Sequence, residues 1–145
     1  MPVLVEALPD AADVVVVTLD RPERRNALDH ATLQSLRDAI THAVDQRARV
    51  LVLTGAGGHF CAGADLTGVE DEGFVDLLRS VLEGLHTAPF PVVAAIEGAA
   101  LGAGTQLAMS CDLRIATADA SFGIPAAKLG LTVDHWTVQQ LARHA

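Results

Sequence analysis

Residues 14–19 have the sequence Val-Val-Val-Val-Thr-Leu, a continuously apolar run in which β-branched side chains dominate. Such a run predicts a buried β-strand. The segment Val3–Leu8 predicts a partner strand, with Pro9-Asp10 as the turn between them. Two further apolar runs, Val50–Thr54 and Val92–Ile96, predict additional buried strands.

Helical patterns alternate with these strands. Asp29 is a suitable N-cap for a helix over residues 30–46, in which apolar side chains recur at helical spacing (Leu33, Leu36, Ile40 and Val44). A second amphipathic helix is predicted from Phe74 to His86. The remaining predictions are a tightly packed helix over Gly98–Met109, a strand over Cys111–Ala116, a short extended piece over Ala120–Phe122 and a last helix over Asp134–Arg143. Strands that alternate with helices predict an α/β fold with a largely parallel sheet.

The composition excludes several classes of function. A chain of 145 residues with 50% hydrophobic and 3% aromatic residues predicts one domain whose core is built from Ala, Val, Leu and Ile. The longest apolar stretch is broken by Glu97 and Gln106 before it reaches the ~20 residues of a membrane helix. The net charge of −8 argues against nucleic acid or an anionic membrane surface as a partner.

The two cysteines, Cys61 and Cys111, form neither a disulfide framework nor a pair with metal-ligand spacing. The six histidines show no metal-binding pattern, so no metal site is expected. The N-terminus lacks the basic-then-apolar order of a signal peptide. These observations predict a cytoplasmic protein with reduced thiols.

Common nucleotide and nucleophile motifs do not fit. The predicted strand at residues 50–54 is followed by Gly55-Ala56-Gly57-Gly58, but the dinucleotide fingerprint needs a further glycine where Phe60 stands. The sequence also lacks a phosphate-binding Gly-Lys-Ser/Thr loop and a Gly-x-Ser-x-Gly nucleophile elbow.

Two segments of small residues remain, at residues 60–66 and 98–108. Each places small side chains where a loop meets a helix, so backbone N–H groups can point outward without obstruction. Two such groups that converge on one carbonyl oxygen would form an oxyanion hole, which the positive end of a following helix would strengthen. Close packing of a helix against a strand also favours Gly and Ala, and this alternative remains open.

Several segments together resemble the crotonase superfamily, also called the enoyl-CoA hydratase/isomerase family. They are Arg21–Leu28, Phe60–Leu66, Gly98–Asp112, Ala120–Pro125 and Leu129–Leu131. The resemblance runs in order along nearly the whole chain. It implies an α/β fold in which ββα units form a spiral, and a coenzyme A thioester as the ligand, with no cofactor or metal.

The resemblance also implies roles for particular residues. The family polarises the thioester carbonyl with two backbone N–H groups, which here belong to Ala64 and Ala103. Three residues match positions that line the coenzyme A site: Ala62, Asp65 and Leu66. Hydratases of the family also carry two glutamates, and Gln106 and Ala126 stand at those positions.

These two departures bear on the mechanism. A carboxylate can accept and return a proton near neutral pH, whereas an amide or a methyl group cannot. The loss of each general acid or base costs ~10²–10⁴-fold in rate. The resemblance therefore implies a protein of lipid metabolism that binds fatty acyl-CoA or enoyl-CoA, with hydratase activity lost or weak.

One carboxylate remains, that of Asp134. The segment 130–141 resembles the dienoyl-CoA isomerase and aryl-CoA dehalogenase branches, which place a catalytic aspartate at this position. Asp134 could be an acid/base or polar contact, a nucleophile, or only the N-cap of the last helix. Trp136 could form a wall of the acyl pocket or anchor the core or an interface.

Three functions therefore stay open: an acyl-CoA-binding protein, an isomerase-type enzyme that uses Asp134, and a non-catalytic interaction protein. We expect residues 1–145 to form the N-terminal spiral domain, the acyl-CoA-binding core. The family's C-terminal helices, which complete the acyl pocket and build trimers or hexamers, are missing from this sequence. A full-length protein is expected to be a homotrimer or a hexamer.

Overall fold

The computed structural model of the chain describes residues 1–67 and 71–144. This part contains seven strands and four α-helices: β1 Val3–Leu8, β2 Ala11–Leu19, α1 His30–Asp45, β3 Val50–Gly55, α2 Glu72–His86, β4 Val92–Ile96, β5 Ala99–Leu101, α3 Ala103–Ser110, β6 Leu113–Ala116, β7 Ser121–Gly123 and α4 His135–His144. Two short 3-10 turns, Pro22–Arg24 and Ala126–Leu129, lie between these elements. None of the helices in the described ranges is long and apolar enough to cross a membrane.

The large sheet has the strand order β1-β2-β3-β4-β6. Strands β1 and β2 form an antiparallel hairpin, and the other neighbours in this sheet are parallel. Val17 lies opposite Leu53, which lies opposite Ala94 on its other side. The predicted α/β fold with a largely parallel sheet is therefore confirmed.

A second, shorter ladder runs beside the large sheet. Strand β5 pairs in parallel with β7, and isolated parallel bridges join Leu28 to Ala64 and Cys61 to Ala100. From β2 onward, each turn of the chain contributes one strand to the large sheet, then an extended piece to this ladder, then a helix. This is the spiral of ββα units that the resemblance implied.

The core lies between the large sheet and the helices. Alternate residues of β2 (Val15, Val17 and Leu19) are buried, and α1 covers them with Leu33, Leu36 and Ile40. Helix α1 also packs against α2. Val44 differs from the prediction, because it is 39% exposed at the end of α1. Asp29 caps this helix as predicted, and its carboxylate accepts the N–H of Thr32 at 2.8 Å.

The prediction of a single helix over Gly98–Met109 is wrong. Residues Ala99–Leu101 form β5, and α3 begins only at Ala103. The N–H of Leu101 donates to the carbonyl of Cys61 at 2.9 Å, and the N–H of Cys61 donates to the carbonyl of Ala99 at 3.0 Å. Hydrogen bonds to a segment about 40 residues away thus override the local helical preference. The strand predicted from Cys111 is also shorter, because β6 begins at Leu113.

Candidate functional site

A cavity of about 700 Å³ lies between the loop after β3, helix α2 and the starts of α3 and α4. Helix α2 contributes apolar side chains to the wall of this cavity, among them Phe74, Leu78 and Leu82, together with the side chains of Arg79, Glu83 and His86. All but one of the site residues predicted from the sequence line this cavity: Ala62, Ala64, Leu66, Ala103, Gln106, Ala126, Asp134 and Trp136. Residues that are far apart in sequence thus meet around one space large enough for a small-molecule ligand.

The backbone N–H groups of Ala64 and Ala103 are both free of partners within residues 1–67 and 71–144. Leu28 bonds to the residues on either side of Ala64, through Gly63 O at 2.8 Å and Asp65 N at 2.7 Å. The N–H of Ala64 therefore points away from Leu28. Ala103 is the first residue of α3, where helical N–H groups have no partner within the helix.

The two N–H groups belong to segments that pack closely together. A Cβ atom added to Gly63 would lie 2.9 Å from the carbonyl oxygen of Leu101 and 3.6 Å from the nitrogen of Ala103. Gly63 has φ +102°, a conformation that residues with a side chain rarely adopt. The glycine thus allows the segment around Ala64 to approach the start of α3.

Further contacts fix the start of α3. The N–H of Gly102 donates to Gly123 O at 2.7 Å, and the Thr105 hydroxyl lies 2.6 Å from Ala100 O. A Cβ atom on Gly104 would lie only 2.2 Å from Cys61 O. Helix α3 can therefore rest directly on the backbone of the second ladder, with its N-terminus at the cavity.

Gln106 and Asp134 are connected through Thr137, a residue that the sequence reasoning missed. The Gln106 amide donates to the Thr137 hydroxyl at 2.7 Å, and that hydroxyl donates to Asp134 Oδ1. The backbone N–H of Thr137 also donates to Asp134 Oδ1, at 3.3 Å. Asp134 thus has the geometry of an N-cap for α4, and its chemical role stays a prediction. A threonine three residues after a cap aspartate was the available sequence signal.

Asp65 is the predicted site residue that lies outside the main cavity. Its carboxylate is 8% exposed and borders a second cavity of about 370 Å³. It accepts hydrogen bonds from the Thr67 hydroxyl at 2.7 Å, from Arg24 at 3.0 Å and from Arg21 at 3.3 Å. The bonds from Thr67 and Arg24 hold the pKa of Asp65 well below its usual range. The carboxylate is already hydrogen-bonded to these side chains, and its contact with coenzyme A stays a prediction.

The remaining predicted residues have simpler surroundings. Ala126 is half-buried at the start of a 3-10 turn. Trp136 packs partly against the core and also lines the cavity, and its role as a wall of an acyl pocket stays a prediction. Burial raises the pKa of the Cys61 and Cys111 thiols to about 12. Such thiols are poor nucleophiles and act here as small hydrophobic side chains.

Two backbone donors without partners in the described residues lie on adjoining segments at this cavity, while positions 106 and 126 supply no carboxylate. Asp134 shares the cavity lining with the titratable side chains of Arg79, Glu83 and His86, and its role in proton transfer stays a prediction. In the described part of the chain, no group of three or more His, Cys, Asp or Glu side chains could hold a metal ion.

Comparison with known proteins places this geometry in a family. The model of the enoyl-CoA hydratase/isomerase family matches residues 10–145. The chain is 47% identical over 133 residues to the probable enoyl-CoA hydratase echA6 of Mycobacterium tuberculosis, an alignment that covers 91% of this chain and 55% of the relative. It is 39% identical over 138 residues to the crotonyl-CoA hydratase of Syntrophomonas wolfei, with 90% of this chain and 53% of the relative covered.

The solved structures agree. The crystal structure of enoyl-CoA hydratase from Bacillus anthracis superposes with a TM-score of 0.89 at 38% identity, over 99% of this chain and 58% of that chain. The chain thus spans about half the length of the relatives that it matches.

Proposed function

The chain belongs to the enoyl-CoA hydratase/isomerase family, and from this premise we propose that it binds acyl-CoA or enoyl-CoA thioesters. The thioester oxygen accepts hydrogen bonds from the N–H groups of Ala64 and Ala103. The observation that carries the proposal is the pair of backbone donors, unpartnered within residues 1–67 and 71–144, on adjoining segments of one largely apolar cavity. Such donors stabilise a carbonyl oxygen most strongly where water is excluded.

Hydration of enoyl-CoA by this protein is lost or weak. Hydration needs a group that activates water and a group that protonates the substrate. Gln106 and Ala126 occupy those two positions and cannot exchange a proton near neutral pH. Binding and carbonyl polarisation depend on backbone groups and are retained.

A second candidate function is proton transfer within a bound enoyl-CoA, with Asp134 as acid and base. It is favoured by one observation, the position of Asp134 in the lining of the same cavity. The alternative of a non-catalytic interaction protein predicts that coenzyme A thioesters do not bind at all.

We further propose that the protein is cytoplasmic and that its full-length form is an oligomer. The buried free thiols of Cys61 and Cys111 suit the reducing cytoplasm. The exposed apolar side chains of Leu113 and Ile115 on β6 suit coverage within a homotrimer or hexamer of the full-length protein. Light scattering of the full-length protein tests this assembly.

The binding proposal is tested by calorimetry with butyryl-CoA. Ala103→Pro removes one N–H donor at the first position of a helix, where proline is tolerated. Ala103→Ser keeps the donor and is the matched control. We expect Ala103→Pro to bind about 2- to 10-fold more weakly, the value of one hydrogen bond, and Ala103→Ser to bind like the unmodified chain.

Circular dichroism verifies that both variants are folded. Equal affinity of the folded proline variant, or a crystal structure in which the thioester oxygen points away from both amides, would overturn the assignment.

A further inference from the structure

We propose that Gln106, Thr137 and Asp134 form one directional hydrogen-bonded unit that selects acyl groups carrying a hydrogen-bond donor. Thr137 is its positioning residue. This inference rests on the proposed function, because it concerns the acyl end of the same cavity. It also gives Gln106 a role of its own, beyond being a replacement for a carboxylate.

The direction of the unit follows from what each group can donate. A hydroxyl has one proton to donate, whereas an ionised carboxylate only accepts. Thr137 directs its proton at Asp134 Oδ1, so its oxygen must accept the bond from Gln106. An amide NH₂ at position 106 satisfies this requirement, and an ionised glutamate there would not.

Burial of Thr137 keeps the centre of the unit in one arrangement, while Asp134 at its end is exposed. Thr137 is fully buried, so water does not compete for its hydroxyl. The Thr137 backbone N–H adds a second bond to the same oxygen of Asp134. The unit thereby joins α3 to the start of α4 and fixes both side chains relative to each other.

The unit leaves two acceptors, Gln106 Oε1 and Asp134 Oδ2. Neither oxygen receives a hydrogen bond from the parts of the chain that the structure describes, residues 1–67 and 71–144. Both residues line the cavity. A saturated acyl group would displace water from these oxygens without replacing its hydrogen bonds, and this has a cost in free energy. A hydroxyl on the acyl group would donate to one of them.

The spacing along α3 brings the acyl group to this point. Gln106 follows Ala103 by three residues, so the two share a helix face with Cβ atoms about 5–6 Å apart. A carbonyl oxygen held at the N–H of Ala103 therefore directs the first carbons of the acyl chain towards Gln106.

The first test compares the Kd values of butyryl-CoA and 3-hydroxybutyryl-CoA by calorimetry. We expect the unmodified chain to bind the hydroxylated thioester about 3- to 10-fold more tightly, the contribution of one hydrogen bond. Thr137→Val keeps the shape of the side chain and removes the hydroxyl, and it should abolish the preference. Thr137→Ser keeps the hydroxyl and should retain it.

The outcomes separate this inference from the proposed function. Equal binding of both thioesters by the unmodified chain overturns the selectivity and leaves the proposed function intact. Binding of neither thioester overturns the proposed function, and the selectivity with it. A preference that survives in the folded Thr137→Val variant overturns the role of Thr137.

The second test requires no ligand. The side-chain NH₂ resonances of Gln106 in a ¹⁵N spectrum report on its hydrogen bond to Thr137. Asp134→Asn preserves a good helix cap but changes the group that accepts the Thr137 proton. These resonances should respond to Asp134→Asn in the native and Thr137→Ser backgrounds and not in Thr137→Val. An equal response in all three backgrounds would show that Thr137 does not connect the two residues.

Discussion

At the scale of single residues, the carboxylate of Asp65 was predicted as a coenzyme A contact, and in the structure it has a stabilising role. Asp65 joins Arg24 and Arg21 to the segment that contains Ala64, and its oxygens are almost completely enclosed. The carboxylate thus stabilises the loop that presents one of the two proposed backbone donors.

Replacement of Asp65 by Asn should therefore lower the Tm by several degrees at neutral pH, because charge-assisted hydrogen bonds are lost. The folded-state pKa of Asp65 lies below the ordinary value of 3.8. Its stabilising effect is therefore complete above that pH and is lost as the pH falls below it. The Tm difference between the two proteins should shrink accordingly between pH 5 and strongly acidic conditions.

Asp13→Asn is the matched control for this prediction. Asp13 also pairs with an arginine, Arg49 at 3.5 Å, but both side chains are largely exposed. Exposed pairs contribute little to stability, so the Tm of this variant should stay nearly constant. If Asp65→Asn and Asp13→Asn lower the Tm equally, burial is not the reason why the Asp65 ion pair stabilises the fold.

Positions 106 and 126, which match the two glutamates of the hydratases, allow a second prediction at this scale. Hydration of crotonyl-CoA by the unmodified chain should be at or near the background rate. The double variant Gln106→Glu/Ala126→Glu restores both proton-exchanging groups and should raise this rate measurably above background. Each single variant should remain near background, since the other group is still absent. The measurement is the loss of enoyl absorbance, and efficient hydration by the unmodified chain would contradict the proposed mechanism.

Adding Asp134→Asn to the double variant refines that prediction. With an ionised glutamate at position 106, two carboxylates compete for the single proton of Thr137. The Asp134→Asn substitution removes the like charge and should raise the hydration rate further. A lower rate in the triple variant would indicate that Asp134 itself takes part in proton transfer.

At the scale of secondary-structure elements, the placement of α3 depends on a helical glycine. Gly104 faces the backbone of Cys61, and an added Cβ would lie 2.2 Å from its carbonyl oxygen. Gly84 also lies in a helix, α2, but an added Cβ there would meet only Ile40, at 3.7 Å. Substitution at both positions therefore distinguishes two effects. Close approach to a neighbouring backbone applies to Gly104 and not to Gly84, whereas helix propensity applies to both.

Gly104→Ala should lower the free energy of unfolding by roughly 1–3 kcal/mol, because the helix must move away from the second ladder. Gly84→Ala should raise it by about 0.5–1 kcal/mol, the gain in helix propensity. Urea denaturation measures both effects. A stabilising effect of Gly104→Ala would mean that α3 does not rest on the ladder as described.

The same region shows what could be predicted from the sequence. Helix α1, with its Asp29 cap, was predictable because periodicity and capping are local. The switch from β5 to α3 within residues 98–109 was not, because β5 is held by hydrogen bonds to Cys61 and to β7. The site residues that the family resemblance implied line the cavity, with the exception of Asp65. Thr137 was missed because its partner Gln106 lies on another helix, which becomes a neighbour only in the folded structure.

At the scale of the whole molecule, the cavity is assembled from successive turns of the spiral. The loop after β3 supplies Ala64, α2 supplies apolar side chains, and the start of α3 supplies Ala103. Helix α4 closes one side with Asp134 and Trp136. The shape of the cavity therefore depends on how these turns pack together and is not set by any one segment.

Among the three α-helices that line the cavity, α4 has the fewest buried residues, namely Thr137 and Gln140. Elements with little burial open locally at a low cost in free energy. A ligand that binds only the closed cavity stabilises that state by about 2.7 kcal/mol at a concentration of 100 times its Kd. Acyl-CoA should thus slow amide hydrogen exchange in α4 most clearly, and also at the cavity-facing part of α2.

Hydrogen-exchange mass spectrometry with butyryl-CoA and with coenzyme A alone tests this prediction. Strand β1 lies at the opposite edge of the large sheet from β6 and is the internal control, where exchange should stay unchanged. Coenzyme A lacks the acyl group, which the proposed binding mode places at Asp134 and Trp136, so it should protect α4 less than butyryl-CoA does. Equal protection of α4 by the two ligands would place the acyl group away from this helix, and the cavity would then hold only the carrier portion of the thioester.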